Sequence, residues 1–265
     1  MLDAMNIAAT GMRTQQLNVD TIANNLANVN TTGFKKSRVN FVDLVTHGAD
    51  ANAQALAGAQ AMPGLDATQR SGAGVAVTMV DKVFGGGTLQ KTGNVYDLAI
   101  NGDGFFEVAQ PDGSKVYTRG GSFNVDTNGM LATATGQVLQ PEIQIPASAT
   151  SVTVAVDGKV TVTTTASSTP VEVGQLTMVR FANAGALTAM GNGLYSTSDT
   201  SGEAITGHGG EDGMGMISQG FLEGSNVTMV DEMVNLMVAQ RAYEASVKVV
   251  QASDEMMGMV NNLRK

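Results

Sequence analysis

The sequence contains no cysteine and no tryptophan, and aromatic residues make up only 5% of it. Without cysteine there can be no disulfide and no thiolate metal site. Few aromatics argue against an aromatic-lined ligand pocket. Positive charge is also short. Fifteen Lys and Arg face 24 Asp and Glu, for a formal net charge of −9. Nucleic-acid binders present basic surfaces, so that class has no electrostatic support. Long apolar runs are missing, and a membrane-spanning helix needs roughly 20 such residues. The opening "MLDAMNIAATGMRTQQ" lacks a basic segment followed by an apolar one, so no cleavable signal peptide is expected. What the chain does have is 32 Gly and 16 Met in 265 residues. The glycines predict many turns, and the length allows a sizeable core.

Both ends of the chain have helical periodicity. Met5, Met12, Val19 and Leu26 recur every seven residues, with Ala8, Gln15, Ile22 and Val29 three positions on. This a/d stripe, broken only by Gln15, predicts a helix over 1–31. Asp3 is the expected cap and Thr31-Thr32-Gly33 the expected stop. Gly11 is a weak point within it. At the other end, Met229, Leu236, Tyr243, Val250 and Met257 are again seven apart, with Met233 and Val247 on one flank and Ala239 and Val260 on the other. Thr228-x-x-Asp231 has the form of a capping box. A helix from Thr228 to Leu263 is a rod of roughly 54 Å. Such a rod wants something alongside it. Two apolar stripes at opposite chain ends favour pairing with each other and with other copies of the chain.

Between the ends the pattern changes. Residues 45–72 are rich in Ala, Gln and Gly and have no firm period, so 32–72 reads as an extended connector. Residues 73–225 alternate as short strands separated by turn residues. Turns are expected at Pro111-Asp112-Gly113, at Asp126-Thr127-Asn128-Gly129 and at Asp157-Gly158. The expected architecture is α+β. Long terminal helices (1–31 and 226–265) pair as a coiled coil, and a central all-β domain, small-sheeted or barrel-like, fills 73–225.

Catalytic motifs are weak. Histidine occurs only as His47 and His208, neither beside a recognisable partner motif. The glycine-rich "GGEDGMG" and "NGDGFFE" do not complete a phosphate loop. Asp126–Asn128 lacks the ligand series of a calcium loop. No catalytic residue, cofactor or metal site is expected. The asparagines of "NNLANVNTTGFKKS" (Asn24, Asn25 and Asn28) are placed on the polar side of the first helix, as lateral contacts. Phe34 is an anchor after the stop at Gly33. Lys35, Lys36 and Arg38 suit the negative end of the helix dipole.

Long runs of the sequence resemble a known family. "IANNLANVNTTGFKKSRVNFVDL" and "GFLEGSNVTMVDEMVNLMVAQRAYEASVKVVQASDEMM" are similar to the N- and C-terminal signatures of bacterial flagellar rod and hook proteins. "DLAINGDGFFEV", "YTRGGSFNVDTNGML" and "GQVLQPEIQIP" resemble the distal-rod branch more than the hook or proximal-rod branches. The resemblance implies a non-enzymatic structural subunit that polymerises into a stiff hollow drive shaft. Its implied location is the flagellar basal body, with the rod crossing the periplasm and peptidoglycan. The implied partners are further copies of itself, proximal rod and hook subunits, the P-ring and L-ring bushing, and the flagellar type III export apparatus. Nucleic acid and small-molecule substrates are not implied. The residues expected at subunit interfaces are Met5, Met12, Val19, Ile22, Asn24, Asn25, Leu26, Asn28, Val29, Gly33 and Phe34. At the other end they are Met229, Met233, Leu236, Gln240, Arg241, Tyr243, Val247, Val250 and Met257.

Overall fold

Apolar stripes at the ends and alternating strands between them produce two compact units in the computed structural model, which describes residues 2–47, 70–165 and 167–263. The first comprises the described residues of Met1–Asn24, Arg38–Val80 and Val230–Lys265; the second comprises Asn25–Ser37 and Asp81–Met229. The chain therefore passes between units at 24/25, 37/38, 80/81 and 229/230.

The first unit is built from helix α1 (Leu2–Ala27), a two-stranded sheet of β1 (Ser37–His47) and β2 (Arg70–Lys82), and helix α2 (Met229–Leu263). α1 stops four residues before the expected Thr31. Asn28, Val29, Asn30 and Thr31 are poor helix formers, and the chain there closes tight turns instead, with Thr31 N donating to Asn28 O at 3.1 Å. Asp3 lies inside the first turn of the helix, where its charge suits the dipole. α2 begins directly after Thr228, as its sequence predicts, with Asp231 and Glu232 in its first turn. Gly11 is more than a weak point. A Cβ built on it would stand 3.5 Å from Ser246 Oγ, so this is where α1 meets α2. No helix among the described residues is long and apolar enough to cross a membrane.

β1 and β2 correct the connector. Its flanks at 37–47 and 70–72 are strand, and β2 starts before the expected boundary at 73. Both strands are rich in Val and Thr, which favour extended backbone, and this outweighs the lack of a clear period. The Ala/Gln/Gly-rich run at 48–69 lies outside the described residues. Val75 N donates to Thr10 Oγ1 at 3.4 Å, tying β2 to α1.

The second unit is β-rich. Its strands are β3 (Leu89–Lys91), β4 (Leu98–Asn101), β5 (Phe105–Ala109), β6 (Lys115–Thr118), β7 (Phe123–Val125), β8 (Leu131–Thr133), β9 (Val138–Leu139), β10 (Ala149–Val154), β11 (Lys159–Thr164), β12 (Ser167–Gln175), β13 (Met178–Arg180), β14 (Thr188–Gly191), β15 (Leu194–Ser196), β16 (Ile205–Gly207), β17 (Met216–Gln219) and β18 (Phe221–Glu223). The largest sheet runs β14-β15-β6-β5-β9-β8-β7, with β13 joining β5 to β16. It is an open path and not a closed barrel. β10-β11-β12 form a second sheet, and β17-β4 and β18-β3 pair separately. The three expected turns are present: Gly113 N reaches Gln110 O, Gly129 N reaches Asp126 O, and Gly158 N reaches Ala155 O, at 2.9, 2.9 and 3.0 Å.

β5 shows how the core is organised. Successive residues of a strand face opposite sides. Phe106 enters an aliphatic cluster with Val108, Leu139, Val160, Leu176, Met178 and Ile217. Phe105 enters a second cluster with Tyr117, Phe181, Leu187 and Tyr195. The scarce aromatics are concentrated here, in edge-to-face contacts such as Tyr117–Phe181 at 4.8 Å and Phe84–Tyr195 at 5.0 Å between centroids.

Candidate assembly surface

α2 has two different sides. Glu232, Ala239 and Ser253 are buried, and Leu236, Ser246, Val247, Val250 and Met257 are partly covered. At about 100° per residue these fall on one side of the helix. The heptad reading finds Leu236, Ala239, Val247, Val250 and Met257 but misses Glu232, Ser246 and Ser253 beside them. Met229, Met233 and Tyr243, placed on the same stripe and its flank by that reading, are exposed. So is Val260. The opposite side carries Val230 (72% exposed), Val234, Met237 and Val238 (63%) with Met233. These form an apolar surface over two turns. Folded monomers do not usually expose so much apolar area without a partner. Farther along, Gln240 and Arg241 are exposed, and Arg241 pairs with Glu244 at 3.0 Å. An exposed pair of this kind adds little stability.

On α1 the predicted stripe is the less exposed face. Ile22 and Ala8 are buried, and Met5, Met12 and Val19 are partly covered. Ile7 and Leu17 point away and are exposed. In the same unit β1 exposes Phe41, Val42, Leu44 and Val45, and β2 exposes Met79 and Val80.

The second unit holds a buried ionic cluster. Lys35 Nζ lies 2.7 Å from Glu223 Oε1, and the two side chains are 0% and 1% exposed. Lys35 Nζ also donates to Gly85 O at 2.8 Å, and Gly87 N donates to Glu223 Oε1 at 2.8 Å. Arg119 Nε stands 3.7 Å from Glu223 Oε2, while both of its terminal nitrogens donate to Gly102 O at 2.9 Å. Burial lowers the Lys35 pKa below its ordinary value, and the neighbouring Arg119 charge adds to the fall; Glu223 works against both. Burial likewise lowers Arg119. Two glycines make room. Gly33 adopts φ +69 with its Cβ position 3.0 Å from Gly120 N, and a Cβ on Gly87 would lie 2.0 Å from Gly224 O. No other residue type fits at Gly87 without moving backbone.

Comparison with known proteins decides the family. Residues 5–35 match the family model for flagella basal body rod protein, 99–162 that for flagellar hook protein FlgE/F/G D1 domain, and 218–263 that for flagellar basal body rod FlgEFG protein C-terminal. The flagellar basal-body rod protein FlgG of Borreliella burgdorferi is 43% identical over all of both chains. FlgG of Bacillus subtilis is 38% identical, again over all of both chains. The rod protein FlgF of Caulobacter vibrioides is 34% identical over 97% of this chain and 95% of its own. The chain belongs to the flagellar basal-body rod family. It is a FlgG-like structural subunit of the rod, located in the flagellar basal body.

The two terminal signatures of this rod subunit meet at the ionic cluster. Lys35 closes the first matched region and Glu223 lies in the last. Around them, the backbone segments near all four passages are hydrogen-bonded to one another. Asn25 is 2% exposed; its amide donates to Ser37 O at 2.9 Å, and its carbonyl accepts from Ser37 N at 2.8 Å. Asn226 accepts from Lys36 N and donates to Val83 O, both at 2.8 Å. Gly33 N donates to Glu223 O at 2.7 Å, and Lys82 Nζ donates to Lys35 O at 3.0 Å while standing 4.5 Å from the centre of the Phe34 ring. Asn25 is therefore not on an exposed polar side. It splices the end of α1 to the start of β1. Asn24 is exposed, and Asn28 accepts from Thr31 Oγ1 at 3.1 Å. Gly33 is buried, and Phe34, Leu26 and Val29 are partly covered. Lys35 is not a solvated cation at a helix end.

Proposed function

We propose that the exposed apolar side of α2, together with Ile7 and Leu17 of α1 and the exposed apolar residues of β1, is the surface on which copies of this rod subunit polymerise. The carrying observation is the Val230–Met233–Val234–Met237–Val238 surface, apolar and uncovered in the single chain. Covering one such side chain contributes about 1.5–3 kcal/mol, and a polymer repeats it at every subunit. An interface that joins unlike surfaces and does not close into a ring grows into a helical filament. The product is the distal rod, a stiff hollow shaft that links proximal rod to hook and transmits torque through the P- and L-rings. In it α1 and α2 pair as a coiled coil lining the inner tube. Subunits reach it through the flagellar type III export apparatus. The work is mechanical, and it calls for no catalysis and no cofactor.

The test is Val234→Asp with Val238→Asp. Both positions are exposed, so the monomer should keep its circular dichroism and its unfolding midpoint. Polymer should vanish from sedimentation assays, and cells carrying the variant should lack hooks. Polymerisation at the parental level would sink the proposal. The FlgF likeness favours one second reading, a FlgF-type position in the rod, and labelling this chain in isolated basal bodies separates the two.

A further inference from the structure

We propose that Met233 and Met237 of α2 form a modification site for peroxides, at which oxidation blocks the free subunit from joining a polymer. The inference rests on the assembly reading above. These two side chains are 51% and 58% exposed. At about 100° per residue they fall on the side away from Glu232 and Ala239, within the surface that carries Val230, Val234 and Val238. The chain has no cysteine, so no thiol competes for the oxidant. In the reaction, the thioether sulfur attacks a peroxide oxygen. An S–O bond forms and the O–O bond breaks; the sulfur is oxidised and the peroxide is reduced to water. Each sulfoxide turns an apolar side chain into a strong hydrogen-bond acceptor. An interface that excludes water then has to bury an unpaired polar group. Packing of neighbours over the same sulfurs would protect them, so sensitivity belongs to the free subunit and is lost in the polymer.

The fold supplies its own control. Met178 and Met214 are buried in the β-rich unit. Hydrogen peroxide is added to the purified full-length chain, uptake of oxygen at each methionine is followed by peptide mass spectrometry, and polymerisation is then measured by sedimentation. Met233 and Met237 should oxidise well before Met178 and Met214. Polymer yield should fall by at least about tenfold, the scale set by losing one buried apolar side chain per contact. Methionine sulfoxide reductases should restore it. A chain with M233L and M237L should polymerise with or without peroxide.

Equal oxidation rates at Met233, Met237 and the buried methionines would overturn the proposal. So would normal polymerisation of the oxidised chain. A double variant as peroxide-sensitive as the parent would also overturn it, since the other exposed methionines, Met79, Met190, Met216, Met229, Met256 and Met259, would then be the sites that matter. If the untreated chain never polymerises, the assembly reading falls and this proposal falls with it. The untreated arm therefore separates that failure from failure of the oxidation step.

Discussion

The two units use similar residue types in opposite ways. In the β-rich unit Phe106, Val108, Val160, Leu176 and Met178 are shut away from water entirely. In the helical unit Val230, Val234, Met237 and Val238 stand open. A sheet can be covered by another sheet of the same chain, and a single long helix with one neighbour cannot be covered all round. The β-rich unit thus closes its main core within one molecule. The helical unit leaves an apolar face open, the surface proposed above for polymerisation.

The contrast predicts where substitutions act. The largest effect belongs to the buried pair. Lys35→Met leaves the Glu223 carboxylate buried with the more distant Arg119 as its only neighbouring cation and the Gly87 N–H as its remaining close donor, and should cost the β-rich unit about 3–5 kcal/mol in urea unfolding. Adding Glu223→Met to it should recover part of that loss. A single variant that unfolds within 1 kcal/mol of the parent, roughly the worth of an exposed pair, would show that the cluster is solvated.

Next comes alkaline pH. Burial raises the Tyr195 hydroxyl to about 12, with Arg119 pulling the other way. The unfolded chain loses this proton near pH 10 and the folded one near 12. Stability is therefore intact below pH 10 and falls as pH rises toward 12, by roughly 2–3 kcal/mol. Tyr195→Phe should flatten that limb of the stability curve, and an unchanged slope would remove Tyr195 from the account.

Asn25→Ala follows, at about 1–3 kcal/mol, because it strands the part-buried N–H and carbonyl of Ser37. Hydrogen exchange at the Ser37 amide should accelerate with it; unchanged protection there would mean water replaces the amide without loss. The smallest effect on the monomer should come from Val238→Ser. An exposed surface change typically stays within about 0.5 kcal/mol. The same variant should weaken polymerisation measurably. If it destabilises the monomer as much as Asn25→Ala does, the two units do not differ in the way described.

Much of this was legible in the amino-acid order. Heptad spacing finds both helices and the start of α2, and Pro-Asp-Gly, Asp-Thr-Asn-Gly and Asp-Gly place three turns, because these signals are local. Of the expected stripes, Ile22, Leu236 and Val250 are wholly or partly covered within the single chain and Met233 is open. The stripe cannot separate them, because α2 is apolar on both sides and a period cannot say which side the chain itself covers. The connector fails for a similar reason: strands β1 and β2 are held by each other and by α1, and neither has a clean alternation. Open sheet and closed barrel share the same alternation, so periodicity does not separate them either.

The asparagines and lysines of the first signature were the least legible. Asn25 reads as polar and therefore exposed, and Lys35 reads as a cation at a helix end. Both readings follow from average behaviour, in which amides and ammonium groups seek water. Lys35 is held instead by a carboxylate 188 positions away and Asn25 by the backbone of Ser37. By itself the sequence determined the helices, the turns, the lack of disulfides and the family, since each is written in composition, in local pattern or in long runs of matching residues. Only the tertiary structure decided which polar groups are buried and which apolar groups are left open. Those outcomes depend on which distant segments come to lie against one another, and the free energy of burial is set by that meeting and not by the residue alone.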